Sequence, residues 1–399
     1  MRIGLIAGEY PPLQGGLGDY TRELARALAE AGHEPHVLSQ FVEGASAIET
    51  TPVGQHGLTV HRLVSHWDWQ TRRRIEGFIR AYKPDVLNLQ YQAAAYQMHP
   101  AINLLPAALN KSVPTVVTFH DLKEPYLFPK AGAFRRKAIL GMARGAAAAV
   151  VTNVEDRDDL LRERIANVFL IPIGSNIAPI DLVAFDPVAW RNANAIPHDV
   201  TLIGYFGFMN ESKGGETLVR ALAELRASGI SAAVLQIGGQ TGASDPTNIA
   251  YAERLKNLAE QLNVRSYIFE TGFVDERGVS EAFENCTLMA LPYRDGVSFR
   301  RGTLMAALAH AKAIVTTTPR LPLPEVRDGL NMLLTPPDNP SALAQAIARV
   351  LNDKGLRAHL QTGARDLSRL FQWDYIAGEM GKVFEKVSRA TILPNNERT

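Results

Sequence analysis

Two short segments carry most of the chemistry this sequence offers. The first, Gly204-Tyr205-Phe206-Gly207-Phe208-Met209-Asn210-Glu211-Ser212-Lys213-Gly214, is an apolar strand that breaks into a lysine-bearing turn ahead of a helix. The second, Ser298-Phe299-Arg300-Arg301-Gly302-Thr303-Leu304, again opens a helix after an apolar strand. A helix start presents unsatisfied backbone N–H groups and the positive end of the dipole, glycine admits a ligand close to the backbone, and Lys or Arg adds a full charge. Two such turns in one domain suit an anion, and phosphate is the expected one. An arginine pair at a helix start opposes the dipole unless an anion sits there. Lys213 is therefore expected on a phosphate, with Arg300 or Arg301 able to pair bidentately with a diphosphate.

The first half of the chain holds a different set. Gly15-Gly16-Leu17-Gly18-Asp19 follows the first strand and the Glu9-Tyr10-Pro11-Pro12 turn. It differs in spacing from the dinucleotide fingerprint Gly-x-Gly-x-x-Gly, which sets a dehydrogenase aside. Its bland alternative is a loop with Asp19 as an N-cap. His120-Asp121 ends the strand Thr115–Phe119, where His120 could bond a sugar hydroxyl or move a proton, or form a structural pair with Asp121. Gln90-Tyr91 ends the strand Asp85–Leu89 and could line an acceptor pocket. None of the other histidines has metal-type spacing with His120, so no metal is expected. The single cysteine, Cys286, reads as a small buried hydrophobe rather than a nucleophile.

Positioning these residues takes a repeated strand–helix alternation. Strands are predicted at Ile3–Ala7, His36–Ser39, Leu58–Leu63, Asp85–Leu89, Thr115–Phe119, Ala148–Thr152 and Val168–Ile171, with a clear amphipathic helix over Asp19–Ala31. The pattern lapses over Ile173–Pro197, a plausible linker, and restarts with strands at Thr201–Phe206, Ala232–Ile237, Ser266–Glu270, Thr287–Leu291, Ala313–Thr316 and Met332–Leu334. Helices are expected over Gly215–Ala227, Ala250–Leu262, Thr303–His310, Ser341–Leu351 and Tyr375–Val387. Such alternation predicts two doubly wound α/β domains with parallel sheets, ligands binding beyond the carboxyl ends of the strands. A chain of 399 residues accommodates both. With 46% hydrophobic and 21% charged residues and a formal charge of +1, the composition is that of an ordinary globular enzyme and argues against a nucleic-acid binder. No signal-peptide pattern or long apolar run is present, so the cytoplasm is the expected location. Basic clusters at Arg72-Arg73-Arg74 and Lys130–Arg144 read as solvated faces, with peripheral contact to anionic lipid as the alternative.

The motifs, taken together, resemble a known family. Glu9-Tyr10-Pro11-Pro12…Gly15-Gly16-Leu17-Gly18, Thr118-Phe119-His120-Asp121, Ile171-Pro172-Ile173-Gly174-Ser175-Asn176, Phe206-Gly207…Ser212-Lys213-Gly214, Ser298 to His310, and Leu323-Pro324-Glu325…Asp328-Gly329-Leu330-Asn331 occur in the order seen in glycosyltransferase family 4. That family comprises retaining, nucleotide-sugar-dependent enzymes of GT-B fold, two Rossmann-like domains facing across a cleft. The resemblance implies an acceptor-side domain over 1–175, completed by a crossing helix over 374–390, and a donor domain over 176–373. It implies a nucleotide diphosphate sugar as donor, an unidentified sugar, lipid-linked or small-molecule acceptor, and no metal or other cofactor. By position, Lys213 falls on the diphosphate lysine, Gly302, Thr303 and Leu304 on backbone donors to phosphate, and Gly16 on the glycine loop. His120 falls beside the transferred sugar, and Gly272-Phe273 where the nucleobase sits. Gly15, Gly18, Gln90, Tyr91 and Asp121 are then acceptor-side residues, and Ser298, Arg300 and Arg301 donor-side. The sequence departs from the family at its two glutamates, replaced by Ser298 and Ala306, and at the arginine preceding the lysine, replaced by Phe208. Ribose would then be held elsewhere, by Glu325 or Asp295. A catalytically altered scaffold, or an epimerase or phosphorylase of the same fold, are the competing expectations.

Overall fold

The computed structural model describes residues 1–13, 15–122, 132–175, 177–207, 210–239 and 246–392, so Asn176, Phe208 and the Lys130 end of the basic segment lie outside the described residues. The chain divides into two compact units, Met1–Gly174 with Leu370–Thr399, and Ser175–Arg369.

Unit 1 begins with β1 (Arg2–Ala7), α1 (Gly16–Glu30), β2 (Glu34–Gln40), β3 (Ile48–Thr51), β4 (Leu58–Val64), α2 (Thr71–Tyr82) and β5 (Val86–Tyr91). It continues through α3 (Ala101–Leu109), β6 (Thr115–Phe119), α4 (Gly132–Gly145), β7 (Ala148–Val151), α5 (Val154–Arg162) and β8 (Val168–Leu170). The strands form a sheet in the order β3-β4-β2-β1-β5-β6-β7-β8. All neighbours are parallel except β3, which runs antiparallel to β4 at the edge. Sequence patterning misses β3 because all its residues are exposed and Ile48-Glu49-Thr50-Thr51 carries no apolar run. What holds it is the ladder to β4 plus a 3.1 Å contact between the Thr50 and Thr59 hydroxyls.

Unit 2 opens with α6 (Pro187–Ala193), then β9 (Thr201–Phe206), α7 (Gly215–Ala227), β10 (Ala232–Ile237), α8 (Pro246–Gln261), β11 (Ile268–Glu270) and α9 (Glu276–Asn285). Next come β12 (Leu288–Leu291), α10 (Gly302–Ala309), β13 (Ile314–Thr317), β14 (Leu333–Thr335), α11 (Pro340–Asn352) and α12 (Lys354–Ser368). Its sheet, in the order β11-β10-β9-β12-β13-β14, is parallel throughout the described strands. The stretch read as linker contains a helix, α6. Asp186 caps it by accepting from the Val188 and Ala189 amides, with Pro187 in the first turn. It buries no residue of its own, which is why periodicity does not betray it.

The chain ends with α13 (Trp373–Ile392), which belongs to unit 1. Its buried face, Ile376, Ala377, Met380, Val383, Phe384 and Val387, packs into the cluster formed by Leu24 and Leu28 of α1 and Ile3 and Leu5 of β1. Gly174 at the exit of unit 1 lies against the Trp373 ring, where a Cβ would come within 2.5 Å.

Strand order reverses between β1 and β5 in unit 1 and between β9 and β12 in unit 2. Connections leaving a reversal go to opposite faces of the sheet and leave a crevice at its carboxyl edge. Each set of motif residues follows one of these strands or its neighbour. Among the described residues no helix is long and apolar enough to cross a membrane.

Phe384 is fully buried. Phe384→Ala should destabilise unit 1 by about 3–5 kcal/mol, measured by urea unfolding followed with tyrosine- and tryptophan-rich probes of that unit, while unit 2 melts as before.

Candidate functional site

In unit 2 the β9–β12 crevice is walled by the turns that follow those two strands. After β9 the backbone enters a left-handed conformation at Gly207 (φ 93°) and again at Gly214 (φ 71°). Both glycines are required by their surroundings. A Cβ on Gly214 would lie 1.9 Å from the Pro292 carbonyl oxygen, and one on Gly207 would lie 2.8 Å from the Thr303 methyl and 3.0 Å from the Lys213 Nζ. The Lys213 ammonium and the Thr303 side chain therefore meet over the bare backbone of Gly207. The turn is stapled to the loop after β12: the Arg294 amide donates to the Ser212 carbonyl at 2.9 Å, and its guanidinium bridges Glu211 and Asp338.

Arg301 completes this arrangement. It packs on the Tyr293 ring (4.9 Å to the centroid), pairs through one nitrogen with both oxygens of Asp295, and donates to the Ser212 hydroxyl at 3.4 Å. Tyr293 and Thr303 share a hydrogen bond of 2.6 Å between their hydroxyls. Burial, and then the nearby Arg301 charge, hold the Lys213 ammonium down at a pKa of about 8. None of the ion pairs among the described residues includes Lys213. A protonated lysine in this position lacks the water and the carboxylate that would otherwise stabilise it, so an anion binding here gains on both counts.

Helix α10 begins at Gly302, whose Cα faces open space, and has no side-chain cap. The Leu304 amide is engaged, donating to the Arg301 carbonyl at 2.9 Å, and its side chain is buried. This corrects the expectation for Leu304: the open end of α10 is offered by Gly302 and Thr303. Ser298 is half-buried and its carbonyl accepts from the Arg301 amide at 3.2 Å, while Arg300, also half-buried, has an interaction of its own. Ala306 is fully buried. Asp295, a candidate for ribose, is occupied by Arg301. Glu325 has one carboxylate oxygen buried without a partner. At the far side of β9, Gly238 (φ 99°) and Gly272 (φ 66°) form an isolated bridge between the ends of β10 and β11, and the next residue, Phe273, is 90% exposed.

In unit 1 the corresponding residues follow β1, β5 and β6. Gly15 precedes α1 in extended backbone, with the Glu9 carboxylate packed where its Cβ would be, and Gly16 is open to solvent. Gly18 is buried 3.1 Å from the Tyr10 Cα by the same construction, so it serves helix packing rather than acceptor contact. Gln90 is likewise corrected: it is wholly buried and both ends of its amide are used. Its Nε2 donates to Asn88 Oδ1, Asn88 Nδ2 donates to the Thr118 hydroxyl at 2.9 Å, and its Oε1 lies 2.8 Å from His120 Nε2. With a carbonyl oxygen facing it, Nε2 carries the proton and Nδ1 keeps the lone pair. Burial pushes His120 down to about 4, leaving the imidazole neutral at physiological pH, and the Tyr20 ring meets it edge-on at 4.5 Å. His120 is thus built as a hydrogen-bonding group rather than a general acid at neutral pH.

Beside it lies a cavity of about 290 Å³ lined by Tyr91, Gln92, His99, Asn103, Asp121 and Arg135 together with alanine, isoleucine and methionine side chains. The Tyr91 hydroxyl accepts from Asn103 Nδ2 at 3.2 Å. The basic clusters are largely neutralised: Arg72 pairs with Glu76, Arg74 with Asp68, and Arg136 with Asp159 and Glu163. Cys286 is buried, and burial pushes its thiol up to about 12, which keeps it unreactive. Tyr293, Ser212 and Arg294 escaped sequence analysis. Only Tyr293 left a signal, a tyrosine just past the end of an apolar strand.

Residues 14–178 match the family described as Glycosyltransferase Family 4, and residues 200–353 the family described as Glycosyl transferases group 1. The D-inositol 3-phosphate glycosyltransferase of Xylanimonas cellulosilytica is 27% identical over 422 residues, covering 97% of both chains. The phosphatidyl-myo-inositol mannosyltransferase of Mycolicibacterium smegmatis is 24% identical over 407 residues, covering 98% of this chain and 95% of its own. Among solved structures, sucrose-phosphate synthase from Thermosynechococcus elongatus superposes with a TM-score of 0.68 at 20% identity, over 98% of this chain and 100% of its own. Anabaena HepE in complex with UDP gives 0.70 at 16% identity, over 97% and 100%.

The Lys213 amine, followed by NMR after isotopic reductive methylation, should titrate near pH 8. Because phosphate anions favour the protonated form, added pyrophosphate should raise that midpoint, and pyrophosphate affinity should fall as pH rises through it. A midpoint in the ordinary lysine range, unmoved by pyrophosphate, would contradict the geometry.

Proposed function

The chain belongs to the glycosyltransferases of GT-B type, joining a family 4 domain to a group 1 domain, and from that premise we propose that it transfers a sugar from a nucleotide diphosphate donor to a polyhydroxylated acceptor with retention at the anomeric carbon. The observation that carries the donor side is the convergence of Lys213, Thr303 and Gly207, backed by Arg301. Solved neighbours bound to UDP and to UDP-glucose support a uridine nucleotide as the first donor class to examine.

In the proposed reaction the anomeric C–O bond to the diphosphate breaks, its electron pair leaves on the phosphate oxygen, and a C–O bond to an acceptor hydroxyl forms. The acceptor proton passes to a phosphate oxygen of the departing group. Charge develops on the diphosphate, where the Lys213 ammonium, the Arg301 guanidinium and the Gly302 and Thr303 amides are already in place. Preorganised donors of this kind lower a barrier by several kcal/mol without any reorganisation in the transition state. These groups take the part that a metal plays in other sugar transferases. The Phe273 ring beyond Gly272 offers a face for the nucleobase, and the open Gly16 backbone at the start of α1 suits a phosphate oxygen.

His120, neutral and held by Gln90, presents its Nδ1 lone pair to a sugar hydroxyl. The cavity lined by Tyr91, Asp121 and Arg135 takes the acceptor. Its mixture of amide, carboxylate, guanidinium and small apolar groups suits a polyol carrying a phosphate, in keeping with relatives named for inositol phosphates.

The test is nucleoside diphosphate release from a panel of nucleotide sugars, first with water and then with polyol phosphates, inositol phosphates among them. Lys213→Ala and Arg301→Ala should each lower kcat/KM for the donor about a hundredfold. Two variants with unchanged donor affinity and turnover would refute the phosphate assignment. Retention is read from the anomeric configuration of the product by NMR.

A further inference from the structure

Arg62, on β4, is 6% exposed, yet it carries a charge that a strand interior does not need. One guanidinium nitrogen, Nη1, donates to Glu49 at 2.8 Å on β3 and to the Ser46 carbonyl at 3.2 Å just before it. The other, Nη2, reaches across fifty residues of sequence to the Pro11 carbonyl at 2.9 Å. Its Nε is buried without a partner. Burying an incompletely satisfied guanidinium is costly, and replacing such a group with a well-packed apolar side chain is often neutral or stabilising. Stability therefore does not account for an arginine here. Glu49, half-exposed, adds only a screened interaction.

The position of the Pro11 carbonyl does account for it. Pro11 sits in the turn that leads from β1 to Gly15 and Gly16, and that turn is pinned at intervals through its carbonyls. The Trp67 indole donates to the Gly8 carbonyl at 3.0 Å and Arg62 to the Pro11 carbonyl at 2.9 Å. Past Pro11, the contacts among the described residues are made by backbone or by packing: the Leu13 amide to the Tyr10 carbonyl, the Asp19 amide to the Gly15 carbonyl, and Glu9 against Gly15. Among the described residues, Arg62 is thus the last side-chain hydrogen bond to the turn before the glycines. Its anchor is itself fixed to α1: Gly54, in the β3–β4 hairpin, lies so close to the Ala29 carbonyl of α1 that a Cβ would come within 2.0 Å. Hairpin, helix and turn form a closed ring, with the guanidinium as its last link.

We propose that Arg62 is a positioning residue for the glycine turn, holding it through Pro11 so that the Gly15 and Gly16 backbone is presented in one place. The functional consequence rests on the reading of Gly16 as a phosphate-contacting position; the positioning itself does not.

Arg62→Lys separates the two halves of the side chain, since a single ammonium can keep the buried charge and the Glu49 pair while losing the nitrogen that reaches Pro11. Glu49→Gln is the converse control, leaving the Pro11 tie intact. Hydrogen exchange is measured on the full chain. In Arg62→Lys the Leu13 amide, which donates to the Tyr10 carbonyl in the turn, should exchange about tenfold faster, with β3 and β4 within about twofold of the parent, and Glu49→Gln should leave all of them unchanged. No acceleration in the turn overturns the proposal, as does an equal acceleration throughout β3 and β4, which is the signature of a merely structural arginine. If sugar transfer has been established, Arg62→Lys should also lower kcat/KM for the donor about tenfold with little change in KM for the acceptor. A parent protein that releases no nucleotide from any donor defeats the proposed function, while the exchange result still decides the role of Arg62.

Discussion

The arrangement in unit 2 turns on two positive charges brought together in a half-dry crevice. Lys213 and Arg301 repel each other, and burial strips the ammonium of water. A sequence selected for stability alone would separate them or neutralise both. Here Asp295 balances Arg301, and the lysine is left to whatever enters. The surrounding residues keep this arrangement from relaxing. The Arg294 bridge to Glu211 and Asp338 ties down the lysine turn, and Gly214 lets that turn lie directly on the Pro292 carbonyl. Tyr293 gives Arg301 a face to lie on and gives Thr303 a hydroxyl partner.

Unit 1 solves a different problem, the placing of a neutral imidazole. The row Thr118, Asn88, Gln90 and His120 runs across β6 and β5 as a buried sequence of hydrogen bonds, each group fixing the next. Because both ends of the Gln90 amide are engaged, its orientation and the histidine tautomer are set together. Burial then keeps the ring uncharged. Gln90 acts through His120, and removing it would leave polar groups stranded in the sheet.

Much of this was legible in the sequence, and the parts that were not have physical reasons. Strands β6, β9 and β10 and helix α7 lie where their apolar patterning puts them, because each is buried and bounded by a turn residue. Strand β3 and helix α6 were missed because neither buries a face, so neither leaves a hydrophobic period. Residue type at strand ends singles out Lys213 and Arg301 as candidates, and the structure brings them close to one another. What residue type cannot give is which way a group is committed. Gln90 looked like a pocket wall and proves to be an internal strut, Gly18 is a packing position, and the Leu304 amide is spent on its own helix. Those distinctions depend on partners far apart in sequence, such as Asn88 with Thr118, or Arg62 with Pro11.

The return of α13 to unit 1 has a consequence for how the molecule is made. Ile376, Met380 and Phe384 fill a face opened by β1 and α1, so an early segment waits for one made much later before its core closes. Unit 2, lying wholly between, is contiguous and can finish folding while unit 1 still shows bare leucines to solvent or to a chaperone. A nascent or prematurely terminated chain is therefore asymmetric, one half complete and the other adhesive, and the quality of the whole depends on the final twenty residues of α13.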